Sequence, residues 1–483
     1  MSTERGTTEP AASSELHQPN LGSRSDEHVG DMETLFWRVE KDPHLRNTMT
    51  AVFVLDRTPD RAVLADRLER ASRQVQGWRH RLVSPPFNLS NPRWVVEPDF
   101  DLAFHLRWIG APGDGTLASV LEYACASSMS GLDRDRPLWM FTVVEGLQDG
   151  RAAMIVKLHH VLIDGVGGIG LLPLIVDLGP ESQELGPMPP APEPTPMSGR
   201  DLMRDALATN SERFTKFVRS TSGAALRGAP ALARDPGSAV TAVRRNVQAL
   251  GRILVPPAKA PLSPIMTGRK GWWRFAPVEA DLEALKRAAR AYGCTANDAF
   301  IAGVAYGVAR YHEHHDTPVD QLRTTVAISI RRADDPVYGN HILGGNFVMP
   351  VSATGPIENI GAYHTLMKDL RDDVRQPLSK ASSTVISSLG PLVSDYVGAA
   401  MRSSDVLMSN IPGVDIPIWI GGAEVLNLYG FGPTMGTALN ATMVTYNKTA
   451  HIGLNADVSA VTDLGLMAEC VREGFELIEA ARP

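Results

Sequence analysis

The sequence predicts an α/β fold, in the broader α+β sense, built as two domains whose mixed sheets are flanked by helices. Three observations carry this reading. The chain has 483 residues, enough for more than one hydrophobic core. Short β-branched runs alternate with amphipathic stretches both before residue 175 and after residue 270. Between them the composition breaks: Pro180 to Pro196 holds seven prolines and three glutamates, a stiff extended linker rather than a packed element. The division that follows is 1–28 as a disordered N-terminal segment, 29–178 as the first domain, 179–264 as linker and 265–483 as the second domain.

The opening segment is rich in Ser, Thr, Glu and Gly without periodicity, so it has little apolar surface to bury. Thr50 to Leu55 (TAVFVL) reads as a strand, and Arg61 to Val75 carries Val63, Leu64, Leu68 and Ala71 at helical spacing. Trp94 to Val96 and Ala103 to Trp108 are further strand candidates, and Leu117 to Ser127 is helical. Met140 to Val144 and Ala153 to Leu158 are apolar runs of the buried-strand kind. After the linker, Asp281 to Tyr292 forms a helix closed by Gly293, and Thr295 caps a second helix running to about Tyr311. Thr324 to Ile330 is a strand; Ile357 to Arg375 and Ala381 to Met401 are helical. Val406 to Met408, Val425 to Leu428, Thr442 to Tyr446 and His451 to Asn455 read as strands, and Leu464 to Ala481 as the final helix.

Composition excludes several classes. Hydrophobic residues make up 43% and charged residues 21%, ordinary globular usage. No apolar window is long enough to span a bilayer, and the first 30 residues lack the apolar core of a secretory signal. Cys125, Cys294 and Cys470 are too few and scattered for a disulfide framework or a zinc site, so a reducing, cytoplasmic setting is expected. The net charge of −7 hides an asymmetry: Arg213 to Lys270 holds eleven Lys or Arg against one acid, Asp235. No zinc-finger or RNP-type motif accompanies it, so nucleic acid is not an expected partner. Phe214, Phe217, Leu226, Leu250 and Ile253 are interleaved there, which suits an anionic membrane surface or a solvated helix face.

The chemistry concentrates in Leu158-His159-His160-Val161-Leu162-Ile163-Asp164-Gly165. His160 and Asp164 have the i, i+4 spacing of helical metal ligands, yet the HExxH glutamate and a third ligand are missing. Gly165 to Gly170 formally fits GxGxxG, but the acid-ending second strand of a dinucleotide site would fall inside the proline linker. The glycines more simply let a helix begin tightly after the turn. A third reading is a general base, because an imidazole titrating near ~6.5 is largely neutral at pH 7 and can take a hydroxyl proton. A fourth is two histidines satisfied in a core turn. The residues alone leave these open.

The motif as a whole, HHxxxDG, resembles the signature of the CoA-dependent acyltransferases that include chloramphenicol acetyltransferases and peptide-synthetase condensation domains. Its surroundings resemble the bacterial wax ester synthase/diacylglycerol acyltransferase family more specifically. Leu132 to Trp139 (LDRDRPLW) is similar to that family's LDRxRPLW block, and Thr295-Ala296-Asn297-Asp298 to its TxND block. Gly345-Asn346 with Met349-Pro350, and Ser409 to Gly413 (SNIPG), are similar to two later blocks; Thr445-Tyr446 and Asp457 fall at two more. The resemblance runs from about Asp31 to Ala481. Ala327 stands where the family has proline, Met140 where an acid is common, and Thr445 where serine is usual.

That resemblance implies two chloramphenicol-acetyltransferase-like domains with an active-site tunnel at their interface. It makes His160 the general base, with His159 structural or supporting and Asp164 holding the loop through an arginine, Arg331 being a candidate. Asn297 is expected beside the active site, with Asn or Asp capping of a helix as the local alternative. Gly165, Asp298, Asn410 and Thr445 are expected at the substrate-binding surfaces. Independently of the resemblance, His312, Glu313, His314 and His315 look like a metal cluster but sit at the polar end of an amphipathic helix, so a solvated face is expected there. The implied reaction transfers a long-chain acyl group from acyl-CoA, a cosubstrate, to diacylglycerol or a long-chain alcohol, with no bound cofactor and no metal. Peripheral contact with a membrane or lipid inclusion is the expected setting. A condensation-type ester synthase and a non-catalytic lipid-binding relative are the alternatives.

Overall fold

The computed structural model describes residues 21, 28–194, 197–209, 211, 261–331, 335, 339–375 and 402–481. Most of the N-terminal segment, most of the basic stretch and the helix expected over Ala381 to Met401 lie outside them.

Two six-stranded sheets form the framework. The first half supplies β1 (Thr48–Leu55), a small ribbon of β2 (His80–Val83) and β3 (Arg93–Val96), then β4 (Leu106–Gly110), β5 (Trp139–Glu145) and β6 (Ala152–His159). The second half supplies β7 (Trp273–Asp281), β8 (Gln321–Ser329), β9 (Ile342–Pro350) and β10 (Val406–Val414). It continues with β11 (Trp419–Ile420), β12 (Ala423–Phe431), β13 (Leu439–Tyr446) and β14 (Thr449–Asp457). The second sheet runs β7-β14-β13-β10-β8-β9, and the first runs β11-β12-β1-β6-β5-β4. Two strands from beyond the linker thus complete the first sheet, because β12 pairs antiparallel with β1.

Local chemistry explains most elements. The apolar run Ala152–Val156 of β6 is buried on both faces, as suits a central strand, while β13 is buried along its length even though Asn440, Thr442 and Thr445 interrupt its apolar residues. Asp60 accepts from the N–H groups of Ala62 and Val63 and starts the helix Arg61–Gln74. Thr295 and Asp298 form a reciprocal capping box at the head of the helix Ala296–His314. That helix packs on the last one, Leu464–Ala480, through glycine: a Cβ on Gly307 would lie 2.5 Å from Val471 Cα.

Two sequence expectations need correction. Ala103 to Trp108 is not one strand, since Asp101 caps a helical turn over Leu102–His105 and β4 starts only at Leu106. His312 is not on a solvated face. It is fully buried, its Nδ1 donating to Val308 O at 2.8 Å and its Nε2 accepting from Ser263 Oγ at 2.8 Å, and burial lowers its pKa.

The proline-rich segment lies along the helix Arg61–Gln74, where Arg70 donates to Pro187 O at 3.0 Å and Arg73 to Pro189 O at 2.8 Å. No helix among the described residues is long and apolar enough to cross a membrane.

Candidate active site

The histidine pair sits where β6 ends. His159 is opposite Thr48 of β1, and the next backbone N–H, that of His160, donates to Asn47 O at 2.9 Å. Strand alternation sends the two imidazoles different ways. His159 is buried; its Nδ1 accepts from the Val161 N–H at 3.0 Å, so its proton is on Nε2, facing Glu40 Oε2 at 2.9 Å. Glu40 also takes Arg134 Nη2 at 2.9 Å. Burial alone would raise the Glu40 pKa, but the His159 and Arg134 contacts outweigh it and hold it at about 2. His159 therefore fastens the motif to the LDRDRPLW block.

His160 points into a cavity of about 270 Å³ lined from both halves of the chain. Phe36 packs beside it, ring centroids 5.7 Å apart. The Asn340 Oδ1 accepts from Ile342 N–H at 3.1 Å, which leaves its Nδ2 toward His160 Nδ1 at 3.3 Å. A donor there favours the neutral ring with its proton on Nε2, and the length of the contact makes it cheap to break when a substrate hydroxyl arrives. Desolvation lowers the His160 pKa to about 4, with Asp164 opposing and His159 adding to the shift. The ring is neutral across the physiological range.

Asp164 is fully buried and faces donors from both halves. Its Oδ1 caps the short helix Gly165–Gly170 through the Gly167 N–H at 2.8 Å. Its Oδ2 accepts from Arg331 Nη2 at 2.8 Å and from the His341 N–H at 2.9 Å. Arg331 is thus the partner expected of it. Both oxygens are committed to N–H donors, and β6 is antiparallel to both neighbours, unlike the parallel βαβ of a dinucleotide site. Gly165 lines the cavity; a Cβ there would meet Ile411 Cδ1 at 2.4 Å.

The other expected residues are behind the wall rather than in it. Asn297 Oδ1 accepts from Asn410 Nδ2 at 3.2 Å, while the neighbours Ser409 and Ile411 line the cavity. Thr445 Oγ1 accepts from the Gly413 N–H at 2.9 Å, and a Cβ on Gly413 would collide with the Thr445 carbonyl. That explains the glycine of the SNIPG block. Asp298 Oδ2 takes Thr295 N–H and His364 Nδ1, at 2.9 and 2.8 Å. Cys294, Asp298 and His364 are the one group among the described residues with three metal-type donor atoms within 4.8 Å, and the Asp298 oxygen is already engaged. Trp139 donates from Nε1 to Trp78 O at 2.8 Å and stacks on that ring, so the PLW block supports a cavity-lining side chain. Glu40 and Asn340 escaped the sequence reading, because their contacts with the histidines span 119 and 180 residues.

Comparison with known proteins follows the same outline. Residues 29–300 match the wax ester synthase/diacylglycerol acyltransferase catalytic domain, and residues 338–479 match the WS/DGAT C-terminal domain. A Mycobacterium tuberculosis protein whose given name places it among diacylglycerol O-acyltransferases is 32% identical over 461 residues, covering 95% of this chain and 92% of the relative. The wax ester synthase/diacylglycerol acyltransferase of Marinobacter aquaeolei VT8 superposes with a TM-score of 0.62 at 20% identity, covering 94% of this chain and 98% of that one. The first condensation domain of the CDA synthetase gives a TM-score of 0.57 at 16% identity, with 95% and 99% covered.

Proposed function

The chain belongs to the wax ester synthase/diacylglycerol acyltransferase family, and from that premise we propose that it transfers a long-chain acyl group from acyl-CoA to the hydroxyl of diacylglycerol or of a long-chain alcohol, with His160 as general base. One observation carries the assignment: a neutral, desolvated imidazole opens into a largely apolar cavity walled by both halves of the chain. In this reading the acceptor hydroxyl gives its proton to His160 as its oxygen attacks the thioester carbonyl. The tetrahedral intermediate collapses with cleavage of the C–S bond, and His160 returns the proton to the CoA thiolate. Positioning both reactants in one enclosed space supplies the rest of the acceleration. An acceptor panel with purified protein and palmitoyl-CoA tests it, with CoA release and the ester product both followed. Dioleoylglycerol and hexadecanol are the two primary acceptors. Absence of product with every acceptor, alongside retained lipid binding, would leave a non-catalytic lipid-binding relative.

The pH dependence follows from burial. Because desolvation disfavours the imidazolium, the folded value of about 4 lies below the ordinary ~6.5 of the unfolded chain. The unfolded chain therefore binds the proton more readily, and this group withdraws stability as pH falls from about 6.5 towards about 4. The same shift keeps the base competent in mild acid. The acid limb of kcat/KM is expected between pH 4 and 5, in assays short enough to precede acid unfolding. A limb at 6.5 would mean that His160 is solvated in the free enzyme.

Both substrates are poorly soluble, so we place the enzyme at a lipid surface. The basic stretch from Arg213 to Lys270, most of it outside the described residues, is the element proposed for that contact. Each Lys or Arg near an anionic bilayer contributes ~1 kcal/mol. Flotation with anionic liposomes should fall as salt rises, and reversing Arg213, Lys216, Arg219, Arg244 and Arg245 to Glu should abolish it. Flotation of the reversed protein at low salt would reduce the stretch to a connector.

A further inference from the structure

The cavity has an arm that runs into the core of the first sheet, and strand register orders its wall. Side chains two apart on a strand share a face, and each such step advances ~6.6 Å. Starting from His160, the residues Leu158, Val156 and Met154 of β6 succeed one another along the cavity. On β1, Met49, Ala51 and Phe53 stand opposite Leu158, Val156 and Met154. On β12, Gly430 is opposite Ala51 and Leu428 opposite Phe53. All of these line the cavity. The next row, Leu55 opposite Ala152, does not; both are fully buried in the core. On these three strands the lining therefore stops at the row Met154, Phe53 and Leu428, with Ile420 of β11 closing the end beside it.

Met154 lies six positions before His160, a span of ~20 Å, about the length of an extended chain of sixteen carbons. We propose that this arm binds the acyl chain of the donor thioester, and that its last row sets the longest chain accepted. The proposal rests on the acyl-transfer reading above. The side chains of the three rows carry no nitrogen or oxygen, which suits a saturated chain that offers no hydrogen bond. The opposite wall, from the second half, presents Thr325, Ser409, Asn440 and Thr442 to the same cavity. An acceptor bearing hydroxyl and ester groups needs such partners when it leaves water.

A length limit also needs a wall that does not yield. The rows belong to central strands, where a slip of one residue would turn every side chain to the other face. The roof, Leu171 to Val176, is fixed at its end by Asp177. That carboxylate pairs with the buried Arg67, and its backbone exchanges hydrogen bonds of 2.8 and 2.9 Å with Trp419.

Ala51→Phe places a ring across the middle row, and Met154→Ala opens the last one. With acyl-CoAs from octanoyl to icosanoyl and one fixed acceptor, Ala51→Phe is expected to lower the palmitoyl-to-octanoyl ratio of kcat/KM at least tenfold. Met154→Ala should raise the icosanoyl-to-palmitoyl ratio at least threefold. Ratios cancel any loss of folded protein, and Met154→Ala decides the matter if Ala51→Phe fails to fold. Unchanged acyl profiles would overturn the proposal. So would a shift confined to the chain length of the alcohol acceptor, which would put the acceptor in the arm. The same ratios taken from calorimetric Kd values need no turnover. A wild type that binds acyl-CoAs with this length limit but transfers nothing would therefore count against the reaction and not against the arm.

Discussion

Replacing His160 by alanine is expected to lower acyl transfer by at least ~10²-fold, the usual contribution of a positioned general base. The side chain lines the cavity, and among the described residues its one direct polar partner is Asn340 at 3.3 Å. Its loss strands no buried charge, so the melting temperature should stay within a few degrees of wild type. His159→Ala should behave in the opposite sense. It removes a buried hydrogen bond to Glu40, whose carboxylate then keeps, among the described residues, the partly exposed Arg134 and the Asn47 N–H. That costs about 1–3 kcal/mol of stability, with a milder loss of activity. Rates with palmitoyl-CoA and thermal melts on both variants check the pair. His160→Ala activity within threefold of wild type would remove the base assignment, and a reversed order would mean that the wrong imidazole was chosen.

The contrast between the two histidines also shows what the sequence could tell. The apolar run of β6 was legible because a central strand has no polar face to hide. β7 was not: Arg274, Pro277 and Glu279 break its pattern, and it becomes a strand only by pairing with β14. Nor could the pattern of Ala423–Phe431 say which sheet it would join, since its pairing with β1 depends on contacts more than 350 residues apart. At the site, the HHxxxDG spacing located His160 and Asp164, and the resemblance supplied Arg331. Glu40 and Asn340 sit in stretches with no motif of their own. They matter only because the fold brings the end of one helix and the start of β9 to the histidines. Asn297 and Asn410, which the resemblance placed close to the chemistry, contact each other behind residues that line the cavity.

Asp164→Asn should damage both stability and activity, because this carboxylate is where the two halves of the site are tied together. The amide can still cap the Gly167 N–H through one oxygen. Its NH₂ group then faces the Arg331 guanidinium and the His341 N–H, donors that the native Oδ2 accepts at 2.8 and 2.9 Å. Breaking a buried ion pair such as Arg331–Asp164 by neutralising its carboxylate costs about 3–5 kcal/mol. At ~2–4 °C per kcal/mol, that is a fall in melting temperature on the order of ten degrees. The effect on rate comes through geometry. His341 N–H is held by Asp164, the preceding residue Asn340 touches His160, and Gly339 N–H bonds Leu162 O at 3.1 Å. Loosening Asp164 therefore frees the segment that orients the base, and kcat should fall more than KM changes. Adding Arg331→Met to Asp164→Asn removes the guanidinium that the amide NH₂ then opposes, and should restore part of the melting temperature without restoring the rate. If Asp164→Asn instead melts like wild type but has lost its activity, Asp164 acts on the substrate directly, and metal content measured on the purified protein becomes the deciding observation.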